Sequence, residues 1–114
     1  MRIVEESISL AELAELARAG FGEMVKAVVD IERGVLAIGA ELHADEEALL
    51  LESGSVQEHL WGINLYPEEM GASDFIEFDS MINIRPSQGN RTRGVEDPEI
   101  RERIVEIVHA QVRA

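Results

Sequence analysis

Hydrophobic positions recur with a helical period in three segments of the chain. Ser9 and Glu12 form a capping box before the first of these segments, and we expect Gly20 to end that helix in a left-handed conformation. Asp45 is placed as the N-cap of a second helix that ends near Ser53.

The third helix is predicted to begin at Asp97-Pro98, because an N-cap residue followed by proline is a typical helix start. Apolar residues at helical spacing then form a stripe suited to burial. This stripe consists of Ile100, Ile104, Ile107, Val108 and Val112.

Strand-like patterns occupy two pairs of segments. Segments 24–31 and 35–42 are rich in Val and Ile, and Gly34 between them suits the positive φ of a three-residue hairpin loop. Segments 56–66 and 75–85 alternate between apolar and polar residues, which indicates an antiparallel pair. With a short first strand, the order is β-α-β-β-α-β-β-α. This order predicts a two-layer α+β fold with three helices and an antiparallel sheet of four to five strands.

Length and composition place the chain among small globular domains. Its 114 residues suit a single domain spanning 1–114, and the absence of cysteine excludes disulfides, thiolate metal sites and cysteine nucleophiles. No apolar run is long enough to cross a bilayer and no signal-peptide pattern opens the sequence, so we expect a cytoplasmic protein without membrane contact. The net charge of −13 argues against nucleic-acid binding, because polyanions are repelled.

One segment, 85–94, carries positive charge without any acidic residue. The planar guanidinium groups of Arg85, Arg91 and Arg93 suit carboxylate or phosphate, and the glycines let backbone N–H groups approach an anion. These features predict a loop that binds a small anionic ligand, with Asn90 among its contacts. The competing interpretation is that the arginines pair with the protein's own surplus of carboxylates.

The polar face of segments 56–66 and 75–85 is a second candidate. If the two segments pair in simple register, Asn64, Asn83 and Arg85 share this face with Glu77 and Asp79. Such a face can line a cleft in which the asparagines orient a ligand by hydrogen bonds. An ordinary solvent-exposed sheet face has the same pattern.

Metal binding and nucleophilic catalysis have less support. His43 and Asp45, with Glu41 or Asp30, offer imidazole and oxygen ligands, but no paired-histidine spacing accompanies them. No serine lies in a nucleophile elbow. No metal site, cofactor or catalytic residue is therefore assigned.

Three blocks of sequence resemble a known family. They are Leu-His-Ala-Asp at 42–45, Trp-Gly-Ile-Asn-Leu-Tyr-Pro at 61–67, and Ile-Asn-Ile-Arg-Pro at 82–86 continuing to Gly-Asn-Arg at 89–91. The blocks are similar to those of a family of short prokaryotic proteins defined as a domain of unknown function, and the resemblance covers nearly the whole chain. It implies a stand-alone prokaryotic protein and supplies no activity.

The leading hypothesis is a small binding or interaction module that forms a homo-oligomer and holds an anionic ligand or a protein partner. One alternative is an enzyme acting on a phosphorylated or carboxylated metabolite, in which Asp79 or Glu77 transfers a proton. The other is a purely structural homo-oligomer. The predicted ligand contacts are Asn64, Asn83, Arg85, Asn90, Arg91 and Arg93.

Overall fold

Helices and strands follow the predicted order, with two further short strands. The computed structural model describes all residues, 1–114. The elements are β1 (Arg2–Val4), β2 (Ile8–Ser9), α1 (Leu10–Ala19), β3 (Val25–Asp30), β4 (Val35–Ile38), α2 (His43–Glu52), β5 (Leu60–Leu65), β6 (Ile76–Glu77), α3 (Pro98–Gln111) and β7 (Val112–Arg113). A five-stranded antiparallel sheet has the order β1-β4-β3-β5-β6, and β2 pairs with β7 in a small parallel sheet.

The helices lie on both faces of the large sheet. On one face, Leu13 of α1 and Ile104 of α3 join the largest buried cluster together with alternate residues of the central strands. On the other face, Leu50 of α2 packs with Val28 and Leu60 in a smaller cluster. The predicted α+β class, antiparallel sheet and three helices are confirmed, and α2 adds a partial third layer to the predicted two-layer packing. None of the helices has both the length and the apolar character required to cross a membrane.

The predicted helix starts are confirmed for α1 and α3 and are wrong for α2. The side chains of Ser9 and Asp97 each accept a hydrogen bond from a backbone N–H of the first turn. Helix α2 begins at His43 after Leu42, so that Asp45 lies within the first turn and is not the N-cap. The buried ring of His43 bonds to β5, and the helix begins three residues earlier than predicted.

Two glycines test the predicted turns. Gly34 has the positive φ predicted for the hairpin between β3 and β4, +72°, but four residues, 31–34, and not three connect the paired ends Asp30 and Val35. Gly20 has φ −108°, so its predicted left-handed conformation is wrong. The N–H of Gly20 still bonds to the carbonyls of the last helical turn, and the left-handed residue is Gly22, with φ +96°.

The largest difference from the predicted strands lies in 75–85. Only Ile76–Glu77 forms a strand, and the chain then leaves the sheet for a 3₁₀ turn at Met81–Asn83. The side chain of Asn83, not its backbone, pairs with the backbone of Gly62 in β5. An alternating pattern therefore accompanies a segment of which only residues 76–77 pair with the sheet as a strand.

Candidate functional site

The segment between β6 and α3 is held in place by buried asparagine side chains. The amide nitrogen of Asn90 donates to the carbonyls of Asn83 at 2.8 Å, Thr92 at 3.1 Å and Gly94 at 2.8 Å. Its amide oxygen accepts from the N–H of Glu96 at 2.9 Å. Asn90 is therefore fully engaged within the chain, and it fixes the course of the loop.

Arg85 is also engaged internally. Its guanidinium donates to the carbonyls of Gln57 at 2.7 Å and Ile82 at 3.1 Å, and to that of Leu60. The same group lies over the ring of Trp61, 4.3 Å from its centre. These contacts tie the 3₁₀ turn to the start of β5 and use most of the donors that the sequence analysis assigned to a ligand.

Segment 85–94, called the basic loop below, already binds an anion through its backbone. This anion is the carboxylate of Glu96. One oxygen of Glu96 accepts from the N–H of Arg91 at 2.5 Å and from the N–H of Thr92 at 3.1 Å. The side chain of Arg91 is exposed and forms no ion pair within the chain. Of the three predicted arginines, Arg91 and Arg93 therefore remain accessible to a ligand.

A cleft at the N-terminus of α2 brings together cationic groups that sequence reasoning did not connect. This cleft, called the α2 cleft below, has a volume of about 190 Å³. Its polar and apolar walls come from β3, the start of α2 and the loop after β6. The lining residues include Lys26, Leu42, His43, Ser80, Met81 and Arg93.

The electrostatics of the α2 cleft favour negative charge. The N-cap of α2 is Leu42, which has no side-chain acceptor for the free N–H groups of the first turn. These N–H groups and the helix dipole add to the charges of Lys26 and Arg93. Arg93 is paired with Asp79 at 2.7 Å, but both side chains are about half exposed, so this pair is open to exchange with a ligand.

His43 lies at the base of this charge cluster. Its Nε2 is 2.7 Å from the carbonyl oxygen of Ile63. Burial lowers the pKa of His43, so the ring is neutral at pH 7. The ring therefore contributes hydrogen bonding to the cleft, and the positive charge comes from Lys26 and Arg93.

Glu46 lies one turn further along α2 and is fully buried. One of its oxygens accepts from the N–H of Ala40 at 3.1 Å, and the other has no partner. Burial raises the pKa of Glu46 to about 9. The carboxyl group is thus neutral at pH 7 and does not cancel the positive charge of Lys26.

The predicted polar face is only partly assembled. Asn64 pairs with Lys26 across β3 and β5, and its amide nitrogen donates to Glu77 at 2.8 Å and to the carbonyl of Asp79 at 3.3 Å. Its amide oxygen is buried without a partner. Asn64 therefore lies beside the α2 cleft, whereas Asn83 lies over Gly62 and Arg85 over Trp61.

One signal in the sequence pointed to the α2 cleft. Lys26 is the only lysine of the chain, and it stands within a strand otherwise dominated by alanine and valine. A cation in such a strand must lie at an end of the sheet or beside a polar group. Arg93 lies opposite Lys26 because of the path of the segment after β6. The spacing of residues along the chain does not predict this position.

The residues weighed for a metal site are not brought together. Asp30 accepts from the N–H groups of Glu32 and Arg33, both at 2.9 Å, and from the hydroxyl of Ser55 at 2.6 Å. It shapes the β3–β4 hairpin, while His43 is bonded to Ile63. No group of three or more histidine, aspartate or glutamate side chains is arranged to hold a metal ion.

Comparison with known proteins places the chain in a family. No curated protein and no solved structure gives a significant match. Among families, the one described as "Protein of unknown function (DUF5674)" matches residues 2–111, which is nearly the whole chain. The expected relation to a domain of unknown function is therefore confirmed, and the chain belongs to this family of proteins of unknown function, DUF5674.

Proposed function

We propose that the protein is a binding module for a small anionic ligand and that the α2 cleft holds this ligand. The observation that carries the proposal is the meeting of Lys26 and Arg93 at a helix N-terminus whose N-cap, Leu42, offers no acceptor. Backbone N–H groups, a helix dipole and two cations in one concave site are the components that bind carboxylate or phosphate.

In this proposal some of the predicted site residues lie at the ligand and others hold the loop that carries Arg93. Arg93 contacts the ligand, and Asn64 lies beside it. Asn83 donates to the carbonyl of Arg93 at 2.9 Å, so it positions the residue that carries the charge. Asn90 and Arg85 hold the same loop, and Arg91 provides a second exposed cation on it.

The size of the α2 cleft limits the ligand. Sites for drug-sized molecules have volumes of about 300 to 1,000 Å³, whereas this cleft has about 190 Å³. A small organic acid or a phosphate group fits, and a nucleotide would have to extend out of the cleft. The net charge of −13 repels anions at long range, so binding depends on the local cations and weakens with added salt.

Binding preferences are best measured by calorimetry with acetate, lactate, propionate, citrate and inorganic phosphate at constant ionic strength. We expect binding by at least one of these anions. The double variant Lys26→Gln/Arg93→Gln is expected to reduce affinity at least about tenfold, since two close charges are removed. The double variant Arg18→Gln/Arg113→Gln removes two exposed charges outside the cleft, so it is the charge-matched control and is expected to bind as the wild type does.

Two results would contradict the proposal. If no anion in the panel binds, the proposed binding function is wrong. Binding that survives in the Lys26/Arg93 variant and is lost in Arg91→Gln would place the site on the exposed loop and not in the α2 cleft.

A further inference from the structure

The hydrogen bond of His43 determines which of its ring nitrogens can accept. A carbonyl oxygen accepts and never donates, so Nε2, 2.7 Å from the Ile63 carbonyl, carries the proton. In a neutral imidazole the other nitrogen then has a free lone pair. This nitrogen, Nδ1, has no hydrogen-bond partner within the chain, although His43 is only 7% exposed and lines the α2 cleft.

Charged groups face His43 from several elements. Lys26 approaches from β3, while Asp79 and Arg93 approach from the segment after β6. Asp79 is occupied by its ion pair with Arg93. Neither cation donates a hydrogen bond to Nδ1, because Arg93 donates to Asp79 at 2.7 Å and the ammonium group of Lys26 lies over the ring of Phe21, 5.3 Å from its centre.

The remaining walls of the α2 cleft are largely apolar. Leu42 and Met81 flank the opening and are 59% and 65% exposed, and Ile82 lies between them and the sheet. A complementary ligand thus has three parts: a negative group, a hydrogen-bond donor and a short apolar chain.

We propose that the α2 cleft selects small 2-hydroxy carboxylates. The carboxylate lies at Lys26, Arg93 and the first turn of α2, and the hydroxyl donates to Nδ1 of His43. This inference rests on the proposed anion-binding function. It narrows the ligand class, because sulfate and the dianion of a phosphate monoester present only acceptors to Nδ1 and a simple carboxylate has no donor.

Lactate and propionate form the test pair, since they differ by the hydroxyl group alone. A site built to bond a hydroxyl rejects an analogue without it much more strongly than an apolar pocket does. At pH 7.5 we expect lactate to bind at least about tenfold more tightly than propionate. In the ¹⁵N spectrum of histidine-labelled protein, lactate is expected to move the Nδ1 resonance of His43 upfield, while those of His59 and His109 stay in place.

The variant His43→Phe removes the acceptor and keeps a planar ring. Lactate affinity is expected to fall to that of propionate, with propionate affinity unchanged. The spectrum of the wild type tests the same contact without any risk of misfolding.

The outcomes separate this inference from the proposed function. Equal affinities for lactate and propionate with an unmoved Nδ1 resonance would overturn the hydroxyl contact and leave anion binding intact. Binding of acetate or propionate without lactate would do the same. If none of these anions binds, both proposals are wrong.

Discussion

The side-chain amide of Asn83 pairs in both directions with the backbone of Gly62. It accepts from the N–H of Gly62 at 2.8 Å and donates to the carbonyl at 2.9 Å, as a neighbouring strand would. The 3₁₀ turn that carries Asn83 lies directly on β5 at this point. A Cβ atom on Gly62 would come within 2.5 Å of the Cβ of Ser80.

Gly62→Ala is therefore expected to destabilise the protein by about 1 to 3 kcal/mol, the usual cost of forcing extra volume into a packed site. Urea unfolding measures this change. Gly94→Ala is the matched control, because its nearest neighbours lie at 3.5 and 3.6 Å, and it should cost less. Ser80→Gly removes the two clashing atoms but also the hydrogen bond from the N–H of Ile82, so it serves as the reference: if Gly62→Ala costs as much in the Ser80→Gly background as in the wild type, the contact with Ser80 is not the cause.

Asn90→Asp replaces an amide by a carboxylate of the same shape. The new oxygen would face the carbonyls of Asn83, Thr92 and Gly94, to which the amide nitrogen now donates. Of these carbonyls, only that of Asn83 makes a fully buried contact, and leaving such a group without a partner costs about 1 to 3 kcal/mol, so we expect a loss of at least about 2 kcal/mol at pH 7.5. Gln88→Glu makes the same chemical change at an exposed position. Similar losses in the two variants would argue against the internal role of Asn90.

Glu46 gives the folded state a pH dependence of defined sign. Its pKa rises from 4.5 to about 9 on folding, so the folded protein keeps a proton that the unfolded chain releases. The stabilisation is complete below pH 4.5 and is lost as the pH rises towards 9, at up to about 1.4 kcal/mol per unit. The glutamine in Glu46→Gln cannot ionise, so its free energy of unfolding lacks this pH dependence. We expect the free energy of unfolding of the variant, relative to that of the wild type, to increase by about 2 to 4 kcal/mol between pH 4.5 and 7.5.

Denaturant unfolding at several pH values measures this gain. Glu52→Gln, at the exposed end of the same helix, is the control and should keep the pH dependence of the wild type. If the free energy of unfolding changes with pH in the same way in Glu46→Gln and the wild type, Glu46 is ionised in the folded protein.

Asp79→Asn releases Arg93 from its ion pair. The two groups are 2.7 Å apart, with side chains 56% and 40% exposed, so the pair contributes about 0 to 1 kcal/mol to stability. We expect little change in unfolding and a several-fold increase in affinity for any anion that the α2 cleft binds, because one competing carboxylate is lost. Asp74→Asn, an exposed acid that does not line the cleft, should leave affinity unchanged. A decrease in affinity would indicate that Asp79 helps to hold the ligand.

Much of the fold follows from local patterns. The capping box at Ser9 and the positive φ of Gly34 can be predicted from the sequence, because each depends on residues only a few positions away. The extent of the last strand was not readable, because Asn83 bonds to Gly62 across 21 positions and alternation cannot show that a side chain replaces a strand. The start of α2 depends likewise on the distant contact between His43 and Ile63.

The candidate site was less predictable than the fold. The composition of the basic loop predicts Arg91 and Arg93 as ligand contacts. Only the folded structure shows that the backbone N–H groups of this loop already donate to the carboxylate of Glu96. Lys26 and His43 are far from this loop in sequence, and their approach to Arg93 depends on strand order and loop course. These are tertiary properties that spacing along the chain does not encode.

The three sequence blocks on which the family resemblance was based and the cationic residues of the α2 cleft are largely different positions. Gly62, Asn83 and Asn90 lie in the blocks and build the frame, whereas Lys26 and Arg93 lie outside them. Substitutions at the two cationic positions therefore change the charge of the α2 cleft without removing a contact of the frame. Under the proposed binding function, exchange of these two residues would change what the protein binds and leave its frame intact.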